Sequence, residues 1–212
     1  MGIAPKIHNL VSYTVALWVL PGLGLVWGGE WSAVRQLATL MWVLHFARRC
    51  WEVLCVHVYS KREVPLQDCL GEYAYYWLFA AWIAFDLSAP PSPFSPAFPA
   101  AAWAGLLLWL LAEAGNARCH WILSSLRPSG GRPDARAVPS GFCFELVSCP
   151  HYLFEVISWL GFALVCRALS SSAFLLVGSA ILIGWARDRH AAYLKAFPTY
   201  PTGRRVIFPF LY

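Results

Sequence analysis

The residues able to do chemistry gather first in Ser148-Cys149-Pro150-His151-Tyr152-Leu153-Phe154-Glu155, a polar opening to an apolar segment that runs to about Cys166. Proline is tolerated in the first helical turn, where its missing N–H costs nothing, so Pro150 with Ser148 just upstream predicts a helix start. On that helix His151 and Glu155 stand four apart and Tyr152 and Glu155 three apart, so all three look into one space. An ionisable cluster at the head of a membrane helix is expensive and points to a functional site. The alternative is a helix end at the lipid headgroups, where Tyr and His are ordinary.

Two further polar sets lie in apolar surroundings. His45, Arg48, Arg49 and Glu52 recur at three- and four-residue steps and form one stripe, either a ligand site or an Arg–Glu pairing that pins neighbouring helices. Asn116 and His120 are four apart, and Ser124 and Arg127 continue the same face as a graded polar track. An amide, an imidazole and a guanidinium in series suit a nucleotide's amide, ribose and phosphates, and suit equally well mutual pairing inside a bundle. The stretch 185–195 is amphipathic, with Arg189 and Tyr193 on one face, and reads as a lipid-surface helix or a lid over a phosphate site.

The elements that position these groups follow from composition. Hydrophobic residues make up 59% of the 212 and charged residues 13%, with a mean hydropathy of +0.54, far from a soluble domain. The pattern predicts an all-α, polytopic membrane helical bundle. Apolar runs near 10–28, 34–58, 73–89, 100–122, 154–168 and 171–186 give about six transmembrane helices in one domain over 1–212. The fifth and sixth are short, and the fifth has an alternative start near Phe142. Twelve Trp and nine Tyr suit interfacial belts. Six spans put Lys6, Lys61, Arg62, Arg127, Arg132, Arg136, Arg187, Arg189, Lys195, Arg204 and Arg205 on one side, so both termini are expected to be cytosolic.

Several classes are disfavoured. There is no Gly-x-Gly-x-x-Gly after a strand and no P-loop. The six histidines never pair at two-to-four spacing, against a di-iron hydroxylase, and the seven scattered cysteines read as buried small hydrophobes. No metal and no nucleic acid are expected. A cleavable signal and a myristoylation motif are not seen, and neither are the inverted repeats of a transporter.

The chain resembles the steroid 5α-reductase family, in its very-long-chain enoyl-CoA reductase branch, over about residues 40–212. The likeness rests on Ser148-Cys149-Pro150-His151-Tyr152 with Glu155 and Trp159-Leu160-Gly161, and on His190-Ala191-Ala192-Tyr193-Leu194-Lys195 through Tyr200-Pro201 to Phe208-Pro209-Phe210. Upstream it rests on Leu44-His45-Phe46 through Glu52 to His57, on Tyr75-Tyr76-Trp77, and on Gly115-Asn116 through His120 to Arg127-Pro128. The ubiquitin-like N-terminal domain of enoyl-CoA reductases has no counterpart in these residues.

The resemblance implies a multi-pass endoplasmic reticulum enzyme that uses NADPH to reduce the 2,3 double bond of a trans-2-enoyl-CoA in fatty-acid elongation. Tyr152 becomes the catalytic acid. Asn116, His120, Arg127, His151, Glu155, His190, Tyr193 and Lys195 become cofactor contacts within a cofactor-binding half at 100–212, and His45, Phe46 and Glu52 line the substrate pocket. The expected partners are the acyl-CoA, the bilayer, and elongation enzymes or a larger organellar complex.

The family's Asn is His151 here, its Tyr is Phe46, and its Glu-Tyr before Gly-Pro falls on Leu17-Trp18. Those losses leave two rivals. One is a catalytically impaired structural subunit of a membrane complex, with the mitochondrial inner membrane as the alternative location. The other is a 3-oxo-Δ4 steroid reductase.

Overall fold

The computed structural model describes residues 2–59, 62–89, 100–126 and 137–211. Six helices follow in order, α1 (Pro5–Trp27), α2 (Ala33–Cys55), α3 (Leu66–Ser88), α4 (Ala100–Ser125), α5 (Pro150–Cys166) and α6 (Leu169–Ala196). They agree with the six apolar runs, and the chain is an all-α multi-pass membrane bundle. A two-residue antiparallel ribbon, β1 (Gly2–Ile3) with β2 (Val64–Pro65), ties the N-terminus to the start of α3. Phe142–Glu145 is a single 3₁₀ turn rather than the start of α5.

Of the described helices, α1, α4 and α6 are long and apolar enough to cross a bilayer by themselves. In α2 the charged groups Arg35, Arg48, Arg49 and Glu52 find partners inside the bundle, where a membrane protein tolerates charge. The expected span at 171–186 and the amphipathic stretch 185–195 are one continuous helix. At 28 residues α6 is about 42 Å long, more than the ~30 Å hydrocarbon core.

Trp42, fully buried, centres the apolar core. Phe46, Trp159, Phe162 and Phe174 surround it at ring distances of 4.8–5.7 Å, and its indole donates to Ala16 O at 2.8 Å. The most extensive helix pairing is α4 on α5. A Cβ on Gly105 would meet Gly161 O at 2.5 Å, and one on Gly161 would meet Gly105 O at the same distance. Without a hydrophobic drive between helices in lipid, small residues that let backbones touch supply the attraction. That contact sets Asn116 and His120 of α4 beside His151 and Glu155 of α5.

Ser148 does not cap α5. Cys149 is the capping residue and makes no side-chain cap bond, while Ser148 Oγ lies 2.6 Å from His190 Nδ1 and 2.7 Å from Tyr200 Oη. The tail after α6 returns to this point, with Val147 bridged to Arg205 and Ser148 N donating to Arg205 O. All seven cysteines are free, with Cys69, Cys119, Cys149 and Cys166 buried, as expected of small hydrophobes, and Cys55 exposed.

Candidate active site

Two cavities open near the end of the bundle that carries both termini. The larger, about 590 Å³, runs among α1, α3, α5 and α6 and is lined by Tyr13, Tyr75, Tyr76, Glu155, Trp159 and Gly178 among others. The smaller, about 360 Å³, is lined by polar groups including Asn9, His57, Tyr59, Ser124, Arg189 and Tyr193. Arg49, His120, His151 and Tyr152 line both and form the wall between them.

Tyr152 stands on the first turn of α5, with its ring 4.1 Å from that of His151 and 6.3 Å from that of Trp185. The Arg189 guanidinium stands near its hydroxyl, on the wall of the same cavity. A positive group there stabilises a phenolate while leaving the O–H free to donate into the cavity. His151 is buried, and its Nδ1 has no hydrogen-bond partner in the protein.

Behind this wall lies a buried charge network. Glu113 accepts from His45 Nδ1 at 2.8 Å, from Arg48 Nε at 2.7 Å and from Ser158 Oγ at 2.5 Å. Glu52 accepts from Arg48 and Arg49, each at 2.5 Å. Glu155 accepts from Asn116 Nδ2 at 3.1 Å and Trp159 Nε1 at 3.2 Å, with His45 Nε2 at 3.3 Å. Both ring nitrogens of His45 thus face carboxylates, which only accept, so the ring donates from both and is positive. Three cations, His45, Arg48 and Arg49, then balance three anions, Glu52, Glu113 and Glu155. This is the condition under which charges survive inside a membrane protein.

Asn116 locks the arrangement, accepting from Arg48 at 2.9 Å and donating to His151 O at 2.8 Å. The stripe on α2 therefore faces the interior, as its spacing predicted.

The predicted site residues divide by place. Tyr152, Asn116, His120, His151 and Glu155 converge on the larger cavity, and Tyr193 lines the smaller one. His190 and Lys195 line neither, His190 being tied to Ser148 and Lys195 exposed. His45, Phe46 and Glu52 stand behind the cavity wall, each at most 1% exposed, and support it from there. Arg127 lies outside the described residues.

Glu113, a lone carboxylate in the apolar run of α4, escaped the sequence reading although its placement was the signal. Tyr13 escaped it too. It accepts from Arg49 at 3.2 Å and lines the cavity beside Tyr76. Trp18 is 67% exposed, so its face of α1 points away from the site.

Glu52, His57 and His120 each bring a ligand-type atom within 4.8 Å of the others. Both Glu52 oxygens are already held by guanidiniums, and Arg49 NH1 is 3.0 Å from His120 Nδ1. A metal ion would stand against two fixed positive groups, so the set does not suit a cation.

A six-helix membrane fold with this site has recognisable kin. The family model described as 3-oxo-5-alpha-steroid 4-dehydrogenase matches residues 62–212, and the chain belongs to this steroid 5α-reductase family. It is 34% identical over 181 residues to a very-long-chain enoyl-CoA reductase of Dictyostelium discoideum, covering 85% of this chain and 59% of that protein. It is 32% identical over 182 residues to a trans-2,3-enoyl-CoA reductase-like protein of Bos taurus, covering 84% of this chain and 50% of that one. The corresponding human protein is 31% identical over 199 residues, covering 88% of this chain and 54% of its own length. The chain thus spans between half and three-fifths of the length of these relatives.

Proposed function

We propose that the chain reduces the 2,3 double bond of a trans-2-enoyl-CoA with NADPH, as in very-long-chain fatty-acid elongation in the endoplasmic reticulum membrane. One observation carries the reading, the placement of Tyr152 on a wall shared by an apolar cavity and a polar one. The larger cavity has the size of a small-molecule site and opens beside exposed Ile181 and Trp185, which suits an acyl chain. The smaller presents Arg189, Ser124 and Tyr193 to a phosphate- and ribose-bearing ligand, and the buried, unpartnered His151 Nδ1 offers a hydrogen bond at the junction. Those residues fit a dinucleotide, with Asn116 and Glu155 fixing the wall behind it.

When bound, NADPH supplies hydride to the β-carbon. Tyr152 then gives its proton to the α-carbon, and Arg189 steadies the phenolate that remains. The balanced network behind the wall keeps Asn116, His120 and Glu155 in place without net charge. With both termini on the cytosolic side, the basic tail meets the CoA and dinucleotide phosphates, and elongation enzymes are the partners such a site would serve.

NADPH consumption by the purified, detergent-solubilised protein with trans-2-hexadecenoyl-CoA tests this beside Tyr152→Phe. Turnover is expected, with a loss of about 10²-fold or more in the variant. Turnover only with a 3-oxo-Δ4 steroid would favour the second reading, which the family description supports. Neither turnover nor a rise in melting temperature with NADPH would leave the structural-subunit reading.

A further inference from the structure

The larger cavity has a polar end that an acyl chain does not need. His8, in the first turn of α1, and Asp68 and Glu72, in the first two turns of α3, line it. Both helices start where the β1–β2 ribbon ties the N-terminus to α3, and Asp68 is exposed there, so this end is a mouth. Tyr13 and Tyr76 line the same cavity about 6–8 Å further along α1 and α3.

His8 and Glu72 pair across the two helices, with His8 Nε2 3.2 Å from Glu72 Oε2. His8 is only 3% exposed, yet its Nδ1 and Glu72 Oε1 are buried without a partner. The other buried carboxylates are fully engaged. Glu52 accepts from Arg48 on one oxygen and Arg49 on the other, and Glu113 from His45 and Arg48. Glu155 accepts from Trp159 and Asn116. Among the described residues Glu72 Oε1 is the one buried carboxylate oxygen with no donor. A pair that served only to pin α1 to α3 would leave two polar atoms stranded, which is costly; a ligand carrying hydrogen-bond donors removes the cost.

The chemistry of the two free atoms defines that ligand. A carboxylate oxygen only accepts, so Glu72 Oε1 calls for an N–H or O–H. His8 Nδ1 accepts when Nε2 carries the proton toward Glu72, and donates when the ring is charged. Two carboxylates at one mouth repel phosphate, so the occupant here is uncharged. It must also be continuous with the chain held deeper in the cavity. In an acyl-CoA these demands meet in the pantetheine arm, which joins the thioester sulfur to the nucleotide through two secondary amides and a hydroxyl.

We infer that His8 and Glu72 form the subsite for the pantetheine arm of the thioester, with Glu72 Oε1 accepting an amide N–H. This rests on the enoyl-CoA reading of the cavity. The mouth then selects the carrier, and the apolar interior holds the acyl chain.

Two substrates that share the enoyl group and differ in the arm test this, trans-2-hexenoyl-pantetheine and S-ethyl trans-2-hexenethioate, each with NADPH. A site whose buried polar atoms pair with the substrate discriminates against an analogue that lacks the matching groups. Wild type is expected to favour the pantetheine thioester about tenfold or more in kcat/KM. In Glu72→Leu the ratio of the two kcat/KM values should fall about tenfold. A change in folding or hydride transfer is common to both substrates and cancels in that ratio. Glu72→Leu also strips His8 of its partner, so His8→Phe/Glu72→Leu, which replaces both by apolar groups, guards against a misfolded single variant and should show the same fall.

A wild-type ratio near one would overturn the subsite without recourse to any variant. So would a ratio that stays within about twofold of wild type in either variant, leaving the pair as a pin between helices. Wild-type protein that reduces neither thioester would sink the reductase reading instead. The subsite then stands or falls on binding. Hexadecanoyl-pantetheine, which has no double bond to reduce, should raise the wild-type melting temperature more than S-ethyl hexadecanethioate does, and equal shifts would count against it.

Discussion

Glu113 shows how much one carboxylate holds. It receives His45, Arg48 and Ser158, so Glu113→Leu strands a guanidinium and an imidazolium inside the bundle. Removing one member of a buried pair costs about 3–5 kcal/mol, and the variant should melt well below wild type in detergent or fail to accumulate. His57, just beyond α2, carries a pH dependence. Burial first, then Arg49 and His120, hold its ring down to about 3, against about 6.5 in the unfolded chain. The unfolded state therefore binds the proton first as pH falls, and stability present above about 6.5 is lost progressively toward 3. At pH 5.5 the loss from this group is about 1.4 kcal/mol, so wild type should lose more melting temperature between pH 7.5 and 5.5 than His57→Phe does. At this scale the sequence was readable wherever helical spacing grouped residues, as for His151, Tyr152 and Glu155. It was opaque where a residue stood alone, as for Glu113 and Tyr13, because their partners come from helices remote in sequence. The Phe46 ring lies 6.1 Å from that of Tyr13 and 5.4 Å from that of Tyr76, two phenols that line the cavity.

Helices were legible in number because apolar run length sets them, and less so at their ends. α5 begins where Pro150 permits, yet Ser148 faces the returning tail instead of the helix, a tertiary preference that no local pattern encodes. The pairing of the α2 charges also emerged only on folding, since their partners Glu113 and Glu155 come from α4 and α5. The α4–α5 contact is the element that brings Asn116 to Glu155. Gly161→Leu drives a side chain into Gly105 O and the Trp109 backbone, and overpacking of this kind costs about 1–3 kcal/mol. The expected outcome is a lower melting temperature together with loss of NADPH-dependent stabilisation, while Gly22→Leu, where nothing lies within 4 Å, should preserve both.

Across the whole molecule the shape of the larger cavity depends on a close fit between α3 and α6. Tyr75 donates to Phe174 O at 2.8 Å and stacks on the Phe174 ring, and this fit requires a glycine at 178, since a Cβ there would collide with the Tyr75 hydroxyl. Gly178→Val should push Tyr75 into the cavity and raise KM for hexadecenoyl-CoA several-fold more than for hexenoyl-CoA, a ratio that steady-state kinetics measures directly. One helix, α6, lines both chambers, with Gly178 and Trp185 at the first and Arg189 and Tyr193 at the second. It is a rigid rod longer than the hydrocarbon layer it crosses, and such rods accommodate a change of bilayer thickness by tilting. Lipid composition thereby gains mechanical leverage on the distance between Arg189 and Tyr152. Bilayer thickness then acts on the two chambers as an elastic load, with no effector site required.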